Sequence, residues 1–579
     1  MRDQIERLVE TAIERCRADG RLPSGKGPLP AVTVEVPRQR SNGDFATNVA
    51  MLLAGYLKQS LPPGSKPPAP RAIAEMLARE IPVGGLVARV EVAGPGFLNF
   101  FVSDDAWREV FRRVLREGPR YGEARIGRGM RVQVEFVSAN PTGPLHVGAA
   151  RNAAVGDALA SLLAFAGYDV AREYYINDYG NQMELLGRSV FVRYAERFGR
   201  ELPFPEEGYH GEYIRDLAAD IARTDGDRHL SRPEAEVVAE FTERAMTRLL
   251  AGIKEDLEAF GVRFDVWFSE RSLYQPDGGA SRVDRAIAAL RAAGHLYEQD
   301  GALFFRSTAF GDDKDRVVIR SDGRPTYFAS DIAYTKDKYD RGFERLLYVW
   351  GADHHGYVAR MKAVAQALGR SPDSYRVTII QLVRLMRGGT EVKMSKRAGE
   401  YTTLRELLDE VGRDAARFFL LMRRADAPLD FDLELAKAQS TENPVYYVQY
   451  AHARIASVLR QAAERGVPLP DPERTDLGVL READELELAR LLAAFPQLVE
   501  SSARSEEPHH LTFYLQDLAG RFHGYYNRSR ILDDDPAVAA ARLVLVQAVQ
   551  VVLRTALGLL GVRAPERMTR EPEAAATPA

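Results

Sequence analysis

The chain has 579 residues, enough for about three to five domains, with 45% hydrophobic and 28% charged residues, which is typical of a globular protein. Cys16 is the only cysteine, which excludes an intramolecular disulfide and a cysteine-based zinc site. The net charge of −4 excludes a strongly basic chain, but nucleic-acid phosphates respond to local basic patches rather than to the total.

No targeting or membrane segment is expected from the sequence. The first 16 residues are charged and helical, without the apolar segment of a signal peptide. The most apolar window, 541–562, is interrupted by Gln547, Gln550 and Arg554, which predicts a buried or amphipathic helix rather than a membrane span. We therefore expect a cytoplasmic protein.

Residues 1 to about 110 are predicted to form a separate α+β module. A Gly/Pro-rich stretch at 58–70 indicates a loop. The patterns predict a helix over 2–18, a helix beginning near 43–48, and strands over 32–37, 87–92 and 97–102.

A strand–loop–helix–strand sequence begins the next part of the chain. Residues 131–137 are apolar and β-branched, and 138–144 contain two prolines and a glycine that neither a helix nor a strand continues through. From His146 the apolar positions have helical spacing, with Gly167 as a stop, and 168–176 return as a strand. This order predicts a βαβ unit in a parallel sheet.

The loop before this helix is a candidate phosphate site, because a helix N-terminus presents free N–H groups. Gly143 and Gly148 have the spacing of a P-loop, but the Lys and Ser/Thr that must follow are absent. His146 is left as a possible donor to a phosphoryl oxygen or as a structural cap of the helix. Far downstream, Lys393 and Lys396 lie within four residues of each other in a chain with only 11 Lys against 67 Arg. Their mobile point charges suit a departing pyrophosphate, although a solvated hairpin tip is the alternative.

The region from about 120 to 385 is predicted to be an α/β domain with a helical insertion at about 185–257. Further strands are expected at 302–308, 316–321 and 345–351, completing a doubly wound sheet. Ligands bind at the carboxyl ends of such strands, so 135–140 and 351–355 are expected in one crevice. Residues 386–442 follow as a connecting region. From 443 to 579 the pattern predicts a helical bundle with a disordered tail after Thr569.

The pairing of His146-Val147-Gly148 with Lys393-Met394-Ser395-Lys396 resembles the two signatures of class I aminoacyl-tRNA synthetases. The flanking sequence is similar to the bacterial arginyl-tRNA synthetases over nearly the whole chain, up to Met568. This resemblance rests on EFVSANPTGPLHVG, REYYINDYGNQ, YHGEYI, FDVWFSE, DKDRVVIRSDG, PTYFASDIAY, YVWGADHHGY and NPVYYVQYAHAR.

The resemblance implies a Rossmann-like catalytic core, an α+β N-terminal add-on domain that contacts the tRNA elbow, and an all-α anticodon-binding bundle. It implies an arginine–tRNA ligase that uses ATP with Mg²⁺. We also expect a monomer without zinc and without a membrane partner. Activation would be attack of the arginine carboxylate on the α-phosphorus, followed by transfer to the terminal ribose of tRNA(Arg).

The resemblance also implies site residues. Catalysis is assigned to His146, Lys393 and Lys396. The arginine site is assigned to Glu135, Ser138, Ala139, Asn140, Tyr327, Asp331, Tyr334 and His354. The ATP site is assigned to Pro141, Thr142, Gly143, His146, Gly148, Ala149, Gly351, Asp353, His354, Lys393, Met394, Ser395 and Lys396. The tRNA contacts are assigned to Tyr446, Tyr450, Arg454, Tyr526 and Arg528, although a place in the core is the alternative for each tyrosine.

One position departs from the family pattern, since the fourth residue of the first signature, often a second histidine, is Ala149, and the role of that histidine is not carried over to position 149. Two other functions stay open from the sequence. One is an inactive synthetase-like RNA-binding protein, against which the intact lysines and His146 argue. The other is a nucleotidyl-transferring enzyme of the same fold without tRNA, against which the long helical C-terminus argues.

Overall fold

The computed structural model describes residues 1–23, 27–60, 66–392 and 402–568, and they fall into two compact units. Of the described residues, the first unit contains those within 1–121, 455–495 and 520–552, and the second contains those within 122–454, 496–519 and 553–568. The predicted domain boundaries stay predictions. Sequence-adjacent segments of the C-terminal helices are divided between the two units.

The first unit begins with a small antiparallel sheet covered by helices, in the strand order β1-β3-β2. The elements up to residue 117 are α1 (Arg2–Ala18), β1 (Phe45–Thr47), α2 (Val49–Ser60), α3 (Pro70–Glu80), β2 (Val87–Ala93), β3 (Phe97–Val102) and α4 (Asp104–Glu117).

Residues 1–121 pack against residues 455–495 within the same unit. The Arg108 guanidinium is buried and donates to the Leu480 carbonyl at 2.8 Å, and the Tyr121 hydroxyl donates to the Leu492 carbonyl at 2.9 Å. Buried donors need such partners, so these bonds fix the two segments together.

One sequence prediction for this region is wrong, because residues 32–37 form only an isolated bridge, at Glu35. The helix expected to begin near 43–48 is α2, which begins at Val49 directly after the short strand β1. Phe45 and Thr47 are buried on one face and pair with β3, so tertiary packing decides the local conformation there.

A five-stranded parallel sheet with the order β11-β10-β4-β5-β6 is the centre of the second unit. Its elements up to residue 340 are β4 (Arg131–Glu135), α5 (Val147–Phe165), β5 (Asp169–Ile176), α6 (Asn181–Glu196), α7 (Glu212–Asp225), α8 (Glu234–Ala259), β6 (Val266–Ser269), α9 (Arg282–Ala292), β7 (Leu296–Gln299), β8 (Ala302–Phe305), β9 (Arg316–Ile319) and α10 (Tyr327–Asp340).

The unit continues with the last strands of this sheet and a second small sheet. The elements up to residue 437 are β10 (Arg345–Gly351), α11 (Val358–Ala367), β11 (Tyr375–Ile380), β12 (Val383–Arg387), β13 (Thr390–Glu391), α12 (Leu404–Val411), α13 (Arg413–Leu421), β14 (Leu429–Asp432) and α14 (Leu433–Lys437).

The structure confirms the βαβ prediction, because β4 and β5 pair in parallel and α5 connects them. It contradicts the prediction that 302–308 and 316–321 enter the main sheet. Those segments are β8 and β9, which pair antiparallel in a separate sheet with β7. Residues 345–351 do join the parallel sheet, as β10 beside β4.

Two buried arginines hold the core of the second unit together. Arg417 donates to the Asp157 carboxylate at 2.6 Å and to the Leu560 carbonyl at 2.8 Å. Arg151 donates to three backbone carbonyls, at distances of 2.8 to 2.9 Å, those of Gln381, Arg424 and Ala427. Each guanidinium is fully buried, so its bonds offset the cost of removing the charge from water.

The C-terminal part is helical, as predicted, with α15 (Pro444–Glu464), α16 (Ala483–Ser505), α17 (His509–Arg528) and α18 (Pro536–Leu559). Among the described residues, α18 alone is long and apolar enough to cross a membrane, and 61% of its most apolar window is buried in the protein. A core helix passes the same test.

Candidate active site

A cavity of about 400 Å³ lies at the carboxyl ends of β4 and β10. Parallel strands end at one edge of a sheet, so these ends meet although they are distant in sequence. The predicted residues that line it are Glu135, Ser138, Asn140, Asp331, Tyr334, Gly351 and His354. The structure thus brings the expected crevice together.

The chain leaves β4 through a strained turn. Val137 and Ser138 have φ angles of +65° and +41°, in a backbone region that residues other than glycine rarely adopt. The Asn152 side chain holds this turn, since its carbonyl oxygen accepts from the Val137 N–H at 2.6 Å and its amide donates to the Val349 carbonyl at 2.8 Å. Asn152 therefore connects β4 and β10 below the cavity.

Glu135 is buried and paired with a lysine that the sequence analysis left without a role. Its Oε2 accepts from the fully buried Lys338, whose Nζ also donates to the Tyr348 hydroxyl at 2.8 Å. Its Oε1 accepts from the Ser138 hydroxyl at 3.2 Å. Nothing in the sequence distinguishes Lys338 from the nearby Lys336, because burial is not visible in it.

Asp331 and Glu270 are two acidic side chains with raised pKa values. Burial raises the pKa of Asp331 to about 6, with Glu135 adding to the rise and a hydrogen bond from Tyr357 opposing it. Burial raises the pKa of Glu270 to about 7, with a hydrogen bond from Tyr175 opposing the rise and the charge of Asp331 contributing to it. A cation that reached both groups would lower both pKa values and be bound strongly.

Glu270 was missed by the sequence analysis. It is the last residue of FDVWFSE, directly after β6, and its side chain is only 2% exposed. An acidic residue at the carboxyl end of a strand was the available signal.

The three residues of α10 that are assigned to the arginine site have different environments. Asp331 and Tyr334 line the cavity, but the Tyr334 hydroxyl donates to the buried Glu173 at 2.6 Å, which leaves its ring as the cavity surface. Tyr327 is 60% exposed and does not line the cavity; its hydroxyl lies beside Gly180.

Arg341 holds Glu173 with two hydrogen bonds, at 2.7 and 2.9 Å. Burial alone would raise the pKa of Glu173, but Arg341, Lys338 and the Tyr334 hydroxyl outweigh it, and the pKa is lowered. Glu173 therefore stays ionised beneath the cavity.

His146 is the N-cap of α5. Its Nδ1 accepts from the N–H groups of Gly148 and Ala149 at 3.1 and 3.4 Å. An accepting Nδ1 puts the proton of the neutral ring on Nε2, so the cap also fixes the tautomer that donates from Nε2. A Cβ at position 148 would lie 2.9 Å from the His146 ring, which explains a glycine there.

The loop 139–143 is tied to neighbouring elements by its backbone. The Ala139 carbonyl accepts from Tyr174 at 2.7 Å, and the Thr142 carbonyl accepts from Tyr213 at 2.8 Å. Asn140 donates to Gln182 of α6 at 2.6 Å. Pro141 is buried and Gly143 is partly buried beside them.

Lys393, Met394, Ser395 and Lys396 lie outside the described residues, but the chain on either side is described. The Val392 N–H donates to the Leu385 carbonyl at 2.8 Å, and the Val147 N–H donates to the Thr402 carbonyl at 3.2 Å. The segment after the lysines is thus bonded to the first residue of α5.

Gly351, Asp353 and His354 follow β10 in a short 3-10 helix, Ala352–Tyr357. Asp353 is exposed, and its carboxylate lies 3.2 Å from Nδ1 of His354. A ribose hydroxyl could reach such an exposed carboxylate.

The predicted tRNA contacts belong to both units. Tyr446, Tyr450 and Arg454 lie on α15 in the second unit, where the two rings stack at 6.0 Å and the Arg454 guanidinium lies 4.7 Å from the Tyr450 ring. Tyr526 and Arg528 lie in the first unit, where Arg528 pairs with Asp484 at 2.5 Å.

Within the described ranges, two groups of side chains are close enough to share a metal ion, and neither lines the cavity. Asp225, His229 and Glu240 are already paired with Arg228, Arg232 and Arg244. In the second group, Glu507 accepts from His510 at 3.0 Å and His509 is buried.

Three family models match the chain in the expected order. They are described as arginyl tRNA synthetase N terminal domain over residues 3–102, tRNA synthetases class I (R), catalytic domain over 111–432, and DALR anticodon binding domain over 448–568. The catalytic model alone covers more than half of the chain. The chain belongs to the arginyl-tRNA synthetases.

Two relatives that are named arginine–tRNA ligase match this chain over their full length. The arginine–tRNA ligase of Syntrophotalea carbinolica is 52% identical over 98% of this chain and 100% of its own, and that of Geobacter sp. (strain M21) has the same identity and coverage. The solved structure of the Thermus thermophilus arginyl-tRNA synthetase is 25% identical, with a TM-score of 0.73 over 98% of this chain and 100% of its own.

The synthetase is therefore a class I enzyme that uses ATP, and the fold expected from the sequence is confirmed. Its catalytic core is the parallel sheet of the second unit, with an α+β N-terminal domain and a helical C-terminal domain.

Proposed function

We propose that this chain activates L-arginine with ATP in the cavity at β4 and β10, and transfers the arginine to the terminal ribose of tRNA(Arg). The observation that carries the residue assignment is the set of carboxyl groups around one cavity. Glu135 and Asp331 line it, and Glu270 lies close to Asp331 with a pKa that is raised in the same way. Arginine has two cationic groups, which require such acceptors.

In this proposal, the guanidinium lies at Asp331 and Glu270, beside the Tyr334 ring. The α-ammonium lies at Glu135, with Ser138, Ala139, Asn140 and His354 around it. Tyr327 would have to approach from the exposed rim, because it does not line the cavity. A planar guanidinium can bond to two carboxylates at once, and a shorter or uncharged side chain cannot.

ATP would lie on the amino end of α5. His146 would donate from Nε2 to a phosphate oxygen, since Nδ1 is occupied by the helix cap. Pro141, Thr142, Gly143, Gly148 and Ala149 would face the phosphates, while Gly351, Asp353 and His354 would face the adenosine. Lys393, Met394, Ser395 and Lys396 follow the β12–β13 hairpin, and Thr402, beyond them in the chain, is bonded to Val147, which supports assigning the lysines to the phosphates.

The chemistry then needs positioning and charge neutralisation more than a general base. The arginine carboxylate attacks the α-phosphorus, the bond to the β-phosphate breaks, and His146 and the two lysines stabilise the pyrophosphate. The 2′-hydroxyl of the tRNA next attacks the adenylate carbonyl, and AMP leaves.

Mg²⁺ would enter with ATP. Among the described cavity residues, Glu135 and Asp331 are assigned to the two cationic groups of arginine, so neither is assigned to Mg²⁺. Magnesium commonly binds to substrate phosphates and water in such sites. We also propose a cytoplasmic monomer without a membrane partner.

The test is charging of purified tRNA by the full-length protein with each of the twenty amino acids in turn. We expect ATP-dependent charging with arginine alone. Absence of charging would favour the inactive RNA-binding alternative. Charging with another amino acid would show that the pocket is assigned wrongly.

A further inference from the structure

Lys338 is the most deeply buried cation beside the cavity, and the proposed mechanism gives it no role. It lies on α10, its side chain is 0% exposed, and its ammonium contacts Glu135 and the Tyr348 hydroxyl. The same ammonium lies 4.0 and 4.1 Å from the ring centres of Tyr334 and Tyr348. Two rings, one carboxylate and one hydroxyl therefore hold it in a single position.

A lysine loses several kcal/mol of hydration when it is buried, so such a group is costly unless it is paired. Burial lowers the pKa of Lys338, while Glu135 and Glu173 oppose that change. The second carboxylate, Glu173, already has its own partner in Arg341. Lys338 is therefore the partner of Glu135, and of the two carboxylates only Glu135 lines the cavity.

Lys338 and Ser138 bind opposite oxygens of the Glu135 carboxylate. Lys338 binds Oε2, and the Ser138 hydroxyl donates to Oε1. The Ser138 hydroxyl oxygen accepts in turn from the Tyr175 N–H at 3.1 Å, so its proton is directed to Glu135. The carboxylate plane is thus fixed from both sides before any substrate arrives.

We propose that Lys338 is a positioning residue of the arginine site: it holds the Glu135 carboxylate in the orientation that receives the α-ammonium of the substrate. This inference rests on the proposed function. Without the Lys338 ammonium, the Glu135 carboxylate would lose the bond at Oε2 and could rotate about the bond that Ser138 makes at Oε1. A rotated Glu135 would bind an ammonium poorly, while the ATP site would be unaffected.

The test compares Lys338→Met, Glu135→Gln and the double variant in steady-state aminoacylation. Methionine keeps the apolar stem of the lysine. Lys336→Met is the matched control, because Lys336 lies two residues away on α10 and pairs with Asp340 at 2.6 Å. Thermal unfolding and circular dichroism are measured for all four, and the double variant has no unpaired charge at this position.

The expected result is a rise of about tenfold or more in the KM for arginine in Lys338→Met, with the KM for ATP within twofold of wild type. Because Lys338 acts through Glu135, the double variant should have the arginine KM of Glu135→Gln alone.

Two outcomes would overturn the proposal. One is an unchanged arginine KM in folded Lys338→Met. The other is a double variant whose effect is the product of the two single effects. A failure of the proposed function is recognised in the wild-type enzyme, which would then not charge tRNA with arginine. A failure of the Lys338 proposal is recognised only in the variants, when the wild type is active.

Discussion

The backbone N–H of Leu404 donates to the carbonyl of Leu145 at 2.7 Å, immediately before the helix cap at His146. With the bond between Val147 and Thr402, it forms a short bridge centred on His146 and Thr403. Thr403 also begins α12 in a capping box with Glu406. The two signatures of the family are therefore connected through the backbone on one side of the lysines.

This connection leads to a prediction for Lys396→Ala. If Lys396 stabilises the departing pyrophosphate, its loss should lower kcat by about 100-fold, a typical cost of losing one transition-state contact. The KM for arginine should change less than twofold, because the amino-acid pocket is separate. Aminoacylation kinetics measure both, with Lys336→Ala as the control. Equal losses in kcat and arginine binding would contradict the transition-state role.

A second prediction concerns Asp331→Asn. The variant has the same shape but loses the charge, which should cost about 1.5–3 kcal/mol of guanidinium binding, or roughly 10- to 150-fold in the KM for arginine. The KM for ATP should stay unchanged. Asp340→Asn is the control, since Asp340 lies at the exposed end of the same helix and pairs with Lys336. A normal arginine KM in Asp331→Asn would show that the guanidinium binds elsewhere.

The pH dependence of arginine binding follows from the pKa values of about 6 for Asp331 and about 7 for Glu270. Both pKa values are raised, so the free protein keeps these acids neutral at low pH. A guanidinium needs the ionised forms, so the KM for arginine should fall as the pH rises from 5.5 to 8. As the pH rises from about 4 to 7, the free energy of unfolding of the ligand-free protein should fall, because the folded state binds more protons in this range than the unfolded state.

Thermal unfolding with and without saturating arginine, between pH 5.5 and 8, measures this linkage. The stabilisation by arginine should grow with pH, and Glu270→Gln should reduce that growth. A shift in melting temperature that is independent of pH would contradict the assignment of these two groups to the guanidinium.

The sequence predicted the parts of this site that depend on local order. The βαβ unit and β10 were recognisable from apolar runs, loops and helix stops, and the crevice follows from where parallel strands end. The strands β8 and β9 have the same local pattern, but they pair antiparallel in another sheet, because pairing depends on contacts that the pattern does not contain.

The charged groups under the cavity could not be predicted for a related reason. Lys338 and Lys336 are lysines two residues apart on the same helix, yet Lys338 is fully buried and Lys336 lies in a surface ion pair. Only the tertiary contacts of Lys338 with Glu135 and Tyr348 distinguish them. Glu270 is likewise an ordinary strand end until its burial is known.

A stability prediction tests the buried Arg417. Its guanidinium binds Asp157, Leu560 and Phe260, and Arg417→Met would leave Asp157 buried with Arg172 as its remaining partner. We expect a loss of about 3–5 kcal/mol, typical of breaking a buried ion pair. Arg405→Met, which breaks a pair between a half-exposed arginine and Asp256, should cost about 1 kcal/mol or less. Urea unfolding compares them, and equal losses would contradict a special role for the buried pair.

The last prediction concerns tRNA binding by α15. Deleting the chain after about residue 445 is a poor test, because the Arg108 and Tyr121 side chains would lose their carbonyl partners at Leu480 and Leu492. A truncated protein would fail to charge tRNA for reasons of folding alone. Single substitutions on the helix surface avoid this problem.

The substitution Arg454→Gln removes the guanidinium that lies over the Tyr450 ring. If Arg454 contacts a tRNA phosphate, the KM for tRNA should rise about three- to tenfold, and the dependence of log KM on log salt should fall by about one unit. The KM values for arginine and ATP should stay at those of wild type. Arg504→Gln, which breaks an exposed pair with Glu500 on α16, is the matched control. An unchanged tRNA KM and salt slope in folded Arg454→Gln would remove this arginine from the proposed tRNA contacts.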